Sequence, residues 1–125
     1  MAEEHAATVL VVDDEPLVLL NAAAMVEDAG WIAIEAANSA EALEVLASEP
    51  KVDVLFTDIN MPGDMDGLEL AACVHKLQPQ IHLVITSGKR VLGDSELPGG
   101  GTFLPKPYGF NALVAVIGGK LGGSP

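Results

Sequence analysis

Five short runs of β-branched and apolar residues, at 8–12, 31–36, 52–57, 81–86 and 102–104, alternate with helix-like stretches. This alternation constrains the fold more than any other feature of the chain. Apolar runs without period-two patterning suit strands buried on both faces, as in parallel sheets. Helices are expected at 17–29, 39–48, 68–77 and 108–117. Pro16 brings its fixed φ to the first helical position, and Gly30 stands where a left-handed C-terminal cap belongs. Asn38 with Glu41 three residues on resembles a capping box, and Pro50 closes that unit. Short connections and right-handed crossovers then leave an open five-stranded parallel sheet with helices on both faces, an α/β architecture. At 125 residues and 50% hydrophobic content there is material for one core and not for two. We therefore expect a single domain over 1–125, with its core at about 8–117 and a loose tail at 118–125.

One stretch breaks the alternation. Residues 88–101 hold five glycines and Pro98 where a fourth helix should connect the last two strands. A helical glycine costs about 1 kcal/mol relative to alanine, so this helix is expected to be short, irregular or mobile.

Eighteen acidic residues against six basic ones give a net charge of −12, which argues against direct binding of nucleic acid or anionic lipid. The start, Met1-Ala2-Glu3-Glu4-His5, is acidic where a signal peptide is basic. No apolar run approaches the roughly 18 residues of a membrane span. The lone Cys73 has no internal disulfide partner and reads as a small buried helix position. Together these point to a cytoplasmic protein in a reducing compartment.

In open parallel sheets the reactive groups gather at the carboxyl ends of the strands. Asp13 and Asp14 end the first run, Asp58 the third, Ser87 the fourth and Lys106 the fifth. Three carboxylates a few ångströms apart repel by about 1 to 4 kcal/mol per pair, and a hard divalent cation relieves this. Mg2+ keeps several waters and takes one or two carboxylates plus phosphate oxygens, so the implied chemistry is phosphoryl transfer to an aspartate. Alone, Asp13 or Asp14 would read as a turn or helix-cap residue; with Asp58 and Lys106 that reading recedes.

At four places the chain resembles the receiver domains of two-component response regulators. They are Val11-Val12-Asp13-Asp14-Glu15-Pro16; Asp58-Ile59-Asn60-Met61-Pro62 with Met65-Asp66-Gly67-Leu68-Glu69-Leu70; Ile85-Thr86-Ser87-Gly88; and Leu104-Pro105-Lys106-Pro107-Tyr108. The resemblance implies a flavodoxin-like receiver fold in which Asp58 takes a phosphoryl group from a sensor histidine kinase or phosphotransfer protein. It implies that Asp14 binds Mg2+ directly, Asp13 mainly through water, and Asn60 through its backbone carbonyl, with Asp58 in the same metal site. Lys106 would contact the phosphoryl oxygens, and a hydroxyl at the end of the fourth strand would move to meet them. Either Thr86 or Ser87 fits that place, and Gly88 favours Ser87 by leaving room beside it. Phe103 falls where the family carries an aromatic switch residue, and the Lys106-Pro107 bond is expected to be cis.

The chain departs from the family pattern at two points. Gly63 and Asp64 stand where many members have one residue, which should alter the loop without moving Asp58. The glycine-rich 88–101 stretch replaces a helix that receivers commonly use for output, and it is expected to order on phosphorylation. Asp64 and Asp66 read as turn residues, and His5, His75 and His82 are too scattered for a metal site. Residues 17–26 include a single polar residue, Asn21, so the first helix has apolar surface to spare for a partner protein or a homodimer.

Three functions are compatible with these residues. The leading one is a phosphoacceptor switch that signals through an unidentified downstream protein, with at most slow self-phosphorylation and self-dephosphorylation rather than enzyme turnover. A Mg2+-dependent aspartyl-phosphate phosphatase usually needs a second acid two residues after its nucleophile, where this chain has Asn60. The third is an interaction module independent of phosphorylation, against which the set Asp13, Asp14, Asp58 and Lys106 argues.

Overall fold

The computed structural model describes residues 6–49 and 51–122. Pro50, the acidic start at 1–5 and the last three residues of the expected tail lie outside the described residues. Strands β1 (Thr8–Val12), β2 (Ile32–Ala36), β3 (Val54–Asp58), β4 (His82–Ser87) and β5 (Thr102–Pro105) form one sheet in the order β2-β1-β3-β4-β5. All four pairings are parallel. Helices α1 (Pro16–Asp28), α2 (Ser39–Ser48), α3 (Gly67–Leu77) and α4 (Phe110–Lys120) cover the two faces.

The strands bury both faces, as their unbroken apolar runs require. Leu10, Leu55, Leu83 and Ile85 join one core cluster with α2 and α3 residues, while Val9, Val11, Phe56 and Val84 join the other with α1 and α4 residues. Strand order reverses between β1 and β3, so the crevice above their carboxyl ends is the place where such a sheet accepts a ligand.

Local chemistry explains most element boundaries. Pro16 opens α1 and Gly30, at φ +95°, follows its end in the left-handed region. Asn38 caps α2 by accepting from the Glu41 N–H, but Glu41 Oε1 accepts from Ala37 rather than Asn38, so only half of the expected capping box forms. The complete box lies elsewhere: Asp66 and Glu69 exchange both bonds at the start of α3. Asp66 is thus a helix cap as well as a turn residue.

Three expectations are corrected. The last helix begins at Phe110 and continues through Gly118, Gly119 and Lys120, three residues into the expected tail. Cys73 is only half-buried, beside a groove between α2 and α3. Residues 88–101 contain two 3-10 turns, Asp94–Glu96 and Pro98–Gly100, and no α-helix. That much matches expectation, but the stretch is packed rather than loose. Leu97 is buried in the core, the Phe103 N–H donates to Asp94 Oδ1, and Lys120 Nζ donates to the Gly100 carbonyl. Leu97, with partly buried Leu92 beside it, and a few cross-bonds replace the apolar face that a helix would have supplied.

Candidate functional site

Every residue singled out from the sequence as a metal or phosphoryl ligand lies at the carboxyl edge of the sheet. Asp13 follows β1, its N–H bonded to Ala36 of β2. Asp58 is the last residue of β3, and Ile59 beyond it donates to the Thr86 carbonyl of β4. Lys106 follows β5, and its N–H reaches the Ser87 carbonyl. Sheet hydrogen bonding therefore fixes the backbone on each side of the pocket.

Asp13, Asp14 and Asp58 place one carboxylate oxygen each within 4.8 Å of one another. Asp13 and Asp58 are buried and Asp14 is partly exposed. Lys106 Nζ lies 2.9 Å from Asp13 Oδ2 and 3.3 Å from Asp58 Oδ1, so one ammonium bridges two of the three carboxylates. Burial pushes the Asp58 carboxyl above its usual range, the charges of Asp13 and Asp14 push the same way, and Lys106 opposes them. Burial alone would lower the Lys106 ammonium, but its bond to Asp13 and the charge of Asp58 outweigh that and hold it above its usual range.

Hard oxygen donors with a charge deficit and an open side fit a divalent cation of the Mg2+ type. Asp13 has both oxygens engaged, Oδ1 by the Glu15 N–H and Oδ2 by Lys106. Asp58 and Asp14 border the open cleft together with Asn60, Lys89 and Lys106. The Lys106-Pro107 peptide bond is cis, as expected.

The two candidate hydroxyls face different surroundings. Ser87 Oγ donates to Asn60 Oδ1 at the cleft, while Thr86 Oγ1 is buried without a hydrogen-bond partner among the described residues. Phe103 is partly buried against the core beside β4. The extra loop residues Gly63 and Asp64 leave Asp58 in the pocket; Gly63 takes φ +111°, and Ser39 Oγ pins the loop through the Met65 carbonyl. His82 is exposed, His75 packs against Gly99 far from the cleft, and His5 lies outside the described residues.

Gly67 is the positioning residue that sequence reasoning missed. A Cβ there would run into the Asp58 carbonyl and the Ile59 backbone, so only glycine lets α3 start against the chain carrying Asp58. Asp66-Gly67 reads from sequence as ordinary turn chemistry, which hid this close approach.

Comparison with known proteins agrees with this geometry. Residues 9–118 match the response regulator receiver domain family. The chain is 33% identical over 119 residues to the sensor kinase CckA of Brucella abortus, covering 89% of this chain and 12% of that protein. It is 33% identical over 114 residues to the transcriptional regulatory protein GlrR of Escherichia coli, covering 89% and 25%. Among solved structures, a receiver protein from Sinorhizobium medicae superposes with a TM-score of 0.85 at 28% identity, covering 94% of this chain and 95% of that one. A CheY-like receiver from Methanospirillum hungatei gives 0.84 at 29%, covering 94% of each. The chain belongs to the receiver domain family of two-component response regulators, which are signalling domains with the flavodoxin-like fold. It spans a quarter or less of the length of these two curated relatives. No helix among the described residues is long and apolar enough to cross a membrane.

Proposed function

We propose that this receiver accepts a phosphoryl group on Asp58 from a phosphohistidine of a sensor kinase or phosphotransfer protein, with Mg2+ as cofactor, and signals through a partner protein. The observation that carries this reading is the Lys106 ammonium set between Asp13 and Asp58, in a cluster of three carboxylates at the topological switch point. An Asp58 carboxylate oxygen attacks phosphorus, the P–N bond breaks, and the imidazole leaves as the acyl phosphate forms. Asp14, Asp58 and the Asn60 backbone carbonyl would hold Mg2+. Asp13, with both oxygens already engaged, would reach it mainly through water. When bound, the cation supplies positive charge to the equatorial phosphoryl oxygens.

Lys106 shares that electrostatic task and, once Asp58 is phosphorylated, turns its ammonium to the new oxygens. Ser87 is the hydroxyl that meets them, with Phe103 following on β5. Its bond to Asn60, which borders the cleft, supports Ser87 over Thr86. The spare apolar surface of α1 faces outward, Leu17 being 74% and Leu20 57% exposed, and this suits a docking partner beside the pocket. A phosphatase is less well supported, because the position two residues after Asp58 offers an amide rather than an acid.

Incubation with a small labelled phosphodonor and Mg2+ separates the readings. Stable labelling that disappears in Asp58→Asn supports the switch. Rapid multiple turnover would support the phosphatase, and no labelling the phosphorylation-independent module.

A further inference from the structure

The hydroxyl of Ser87 is fully used. A serine hydroxyl has one proton and two lone pairs. Ser87 Oγ accepts from the backbone N–H groups of Lys89 and Arg90, both at 3.1 Å, and donates to Asn60 Oδ1 at 3.0 Å. Because both lone pairs are taken, only the carbonyl end of the Asn60 amide can face it.

We infer that Asn60 is a positioning residue for the switch, whose side-chain carbonyl holds the Ser87 proton until a phosphoryl oxygen on Asp58 takes it. The inference rests on the phosphoacceptor reading above and adds a function for the Asn60 side chain, distinct from that of its backbone. Ser87 has no second proton, so its bond to Asn60 and its bond to the phosphoryl group exclude each other. The exchange costs Asn60 little, since that residue is exposed and its freed oxygen meets water. The two lone-pair bonds are not consumed, so the turn at Lys89 and Arg90 travels with Oγ. Asn60 thereby sets how readily the first residues of the 88–101 segment respond to the pocket.

The test is a cycle of the parent chain, Asn60→Ala, Ser87→Ala and the double variant. Each is titrated with beryllofluoride in the presence of Mg2+ while the Lys89 and Arg90 amide resonances are followed. Removal of the Asn60 acceptor should lower the half-saturating beryllofluoride concentration about three- to tenfold, the worth of one neutral hydrogen bond. It should also move both resonances of the ligand-free protein toward their bound positions. In the Ser87→Ala background the same substitution should change the midpoint less than about twofold, whereas Ser87→Thr, which keeps the hydroxyl, should preserve the effect. An equal gain with and without the hydroxyl, or weaker binding by Asn60→Ala, overturns the inference. A parent that binds no beryllofluoride, or an Asp58→Asn variant that binds it equally well, instead overturns the phosphoacceptor reading. Asp58-dependent binding with a flat cycle overturns the Asn60 inference alone.

Discussion

Lys106 Nζ is 2.9 Å from Asp13 Oδ2, nearer than the 3.3 Å to Asp58, so the ammonium is held chiefly by the carboxylate beside the proposed phosphoacceptor. Both acids lie within reach, and moving the ammonium onto phosphoryl oxygens is a short transfer between neighbouring anions. Lys106→Met should leave Asp13 and Asp58 buried without a counter-charge. The cost expected without divalent cation is about 1 to 3 kcal/mol, less than for a fully buried pair because the ammonium is partly hydrated. Thermal denaturation with and without Mg2+ checks this: the loss should shrink when the cation is present. The variant should still label at Asp58 but lose the amide response of Lys89 and Arg90.

Asp58→Asn should stabilise the metal-free protein. Burial raises the Asp58 carboxyl, so the fold holds its proton more tightly than the unfolded chain does. The cost of carrying the charge is present above the raised value and absent below the ordinary value of 3.8. A gain of about 1 kcal/mol, or roughly 3 to 6 °C, is expected at neutral pH and should vanish as pH falls below that range. Melting curves at neutral and acidic pH give the answer, and equal gains at both would contradict it.

Most of the fold was legible because its signals are local. The β1 run, the Pro16 start and the Gly30 stop need no tertiary information, and β1 occupies the expected Thr8–Val12. What escaped was long-range. Glu41 could not be assigned to Ala37 from spacing alone, and the burial of Leu97 depends on a core that replaces the missing helix. Site residues at strand ends were legible because sheet topology brings strand ends together. Gly67 was not, since its requirement comes from the backbone at Asp58, nine positions earlier.

Gly67→Ala should cost about 2 to 4 kcal/mol, because the obstructing atoms are backbone and cannot rotate away. It should also slow labelling at Asp58 by displacing the segment that bears it. Gly119→Ala is the control: nothing lies within 4 Å of its Cβ position on α4, and a gain of about 0.5 kcal/mol is expected from helix propensity. Urea denaturation of both variants checks the contrast.

Tyr108 packs edge-on against Phe56, with ring centroids 5.4 Å apart, and burial pushes its phenol up to about 12. As this is the chain's one tyrosine, alkaline absorbance titration reports it directly. The folded chain keeps the proton longer than the unfolded one. Its contribution to stability is therefore complete below about pH 10 and is lost as pH rises through about 12. Ionisation near pH 10 in the folded protein would contradict the packing.

Phosphorylation of the chain by a small phosphodonor in Mg2+, followed by borohydride reduction and peptide mass spectrometry, tests the central claim most directly. Reduction releases the phosphate and leaves homoserine where the acyl phosphate stood, so homoserine should be found in place of Asp58 alone, and none in Asp58→Asn. Modification of Asp13, Asp14 or Asp66 instead, or none at all with Mg2+ present, would contradict the assignment.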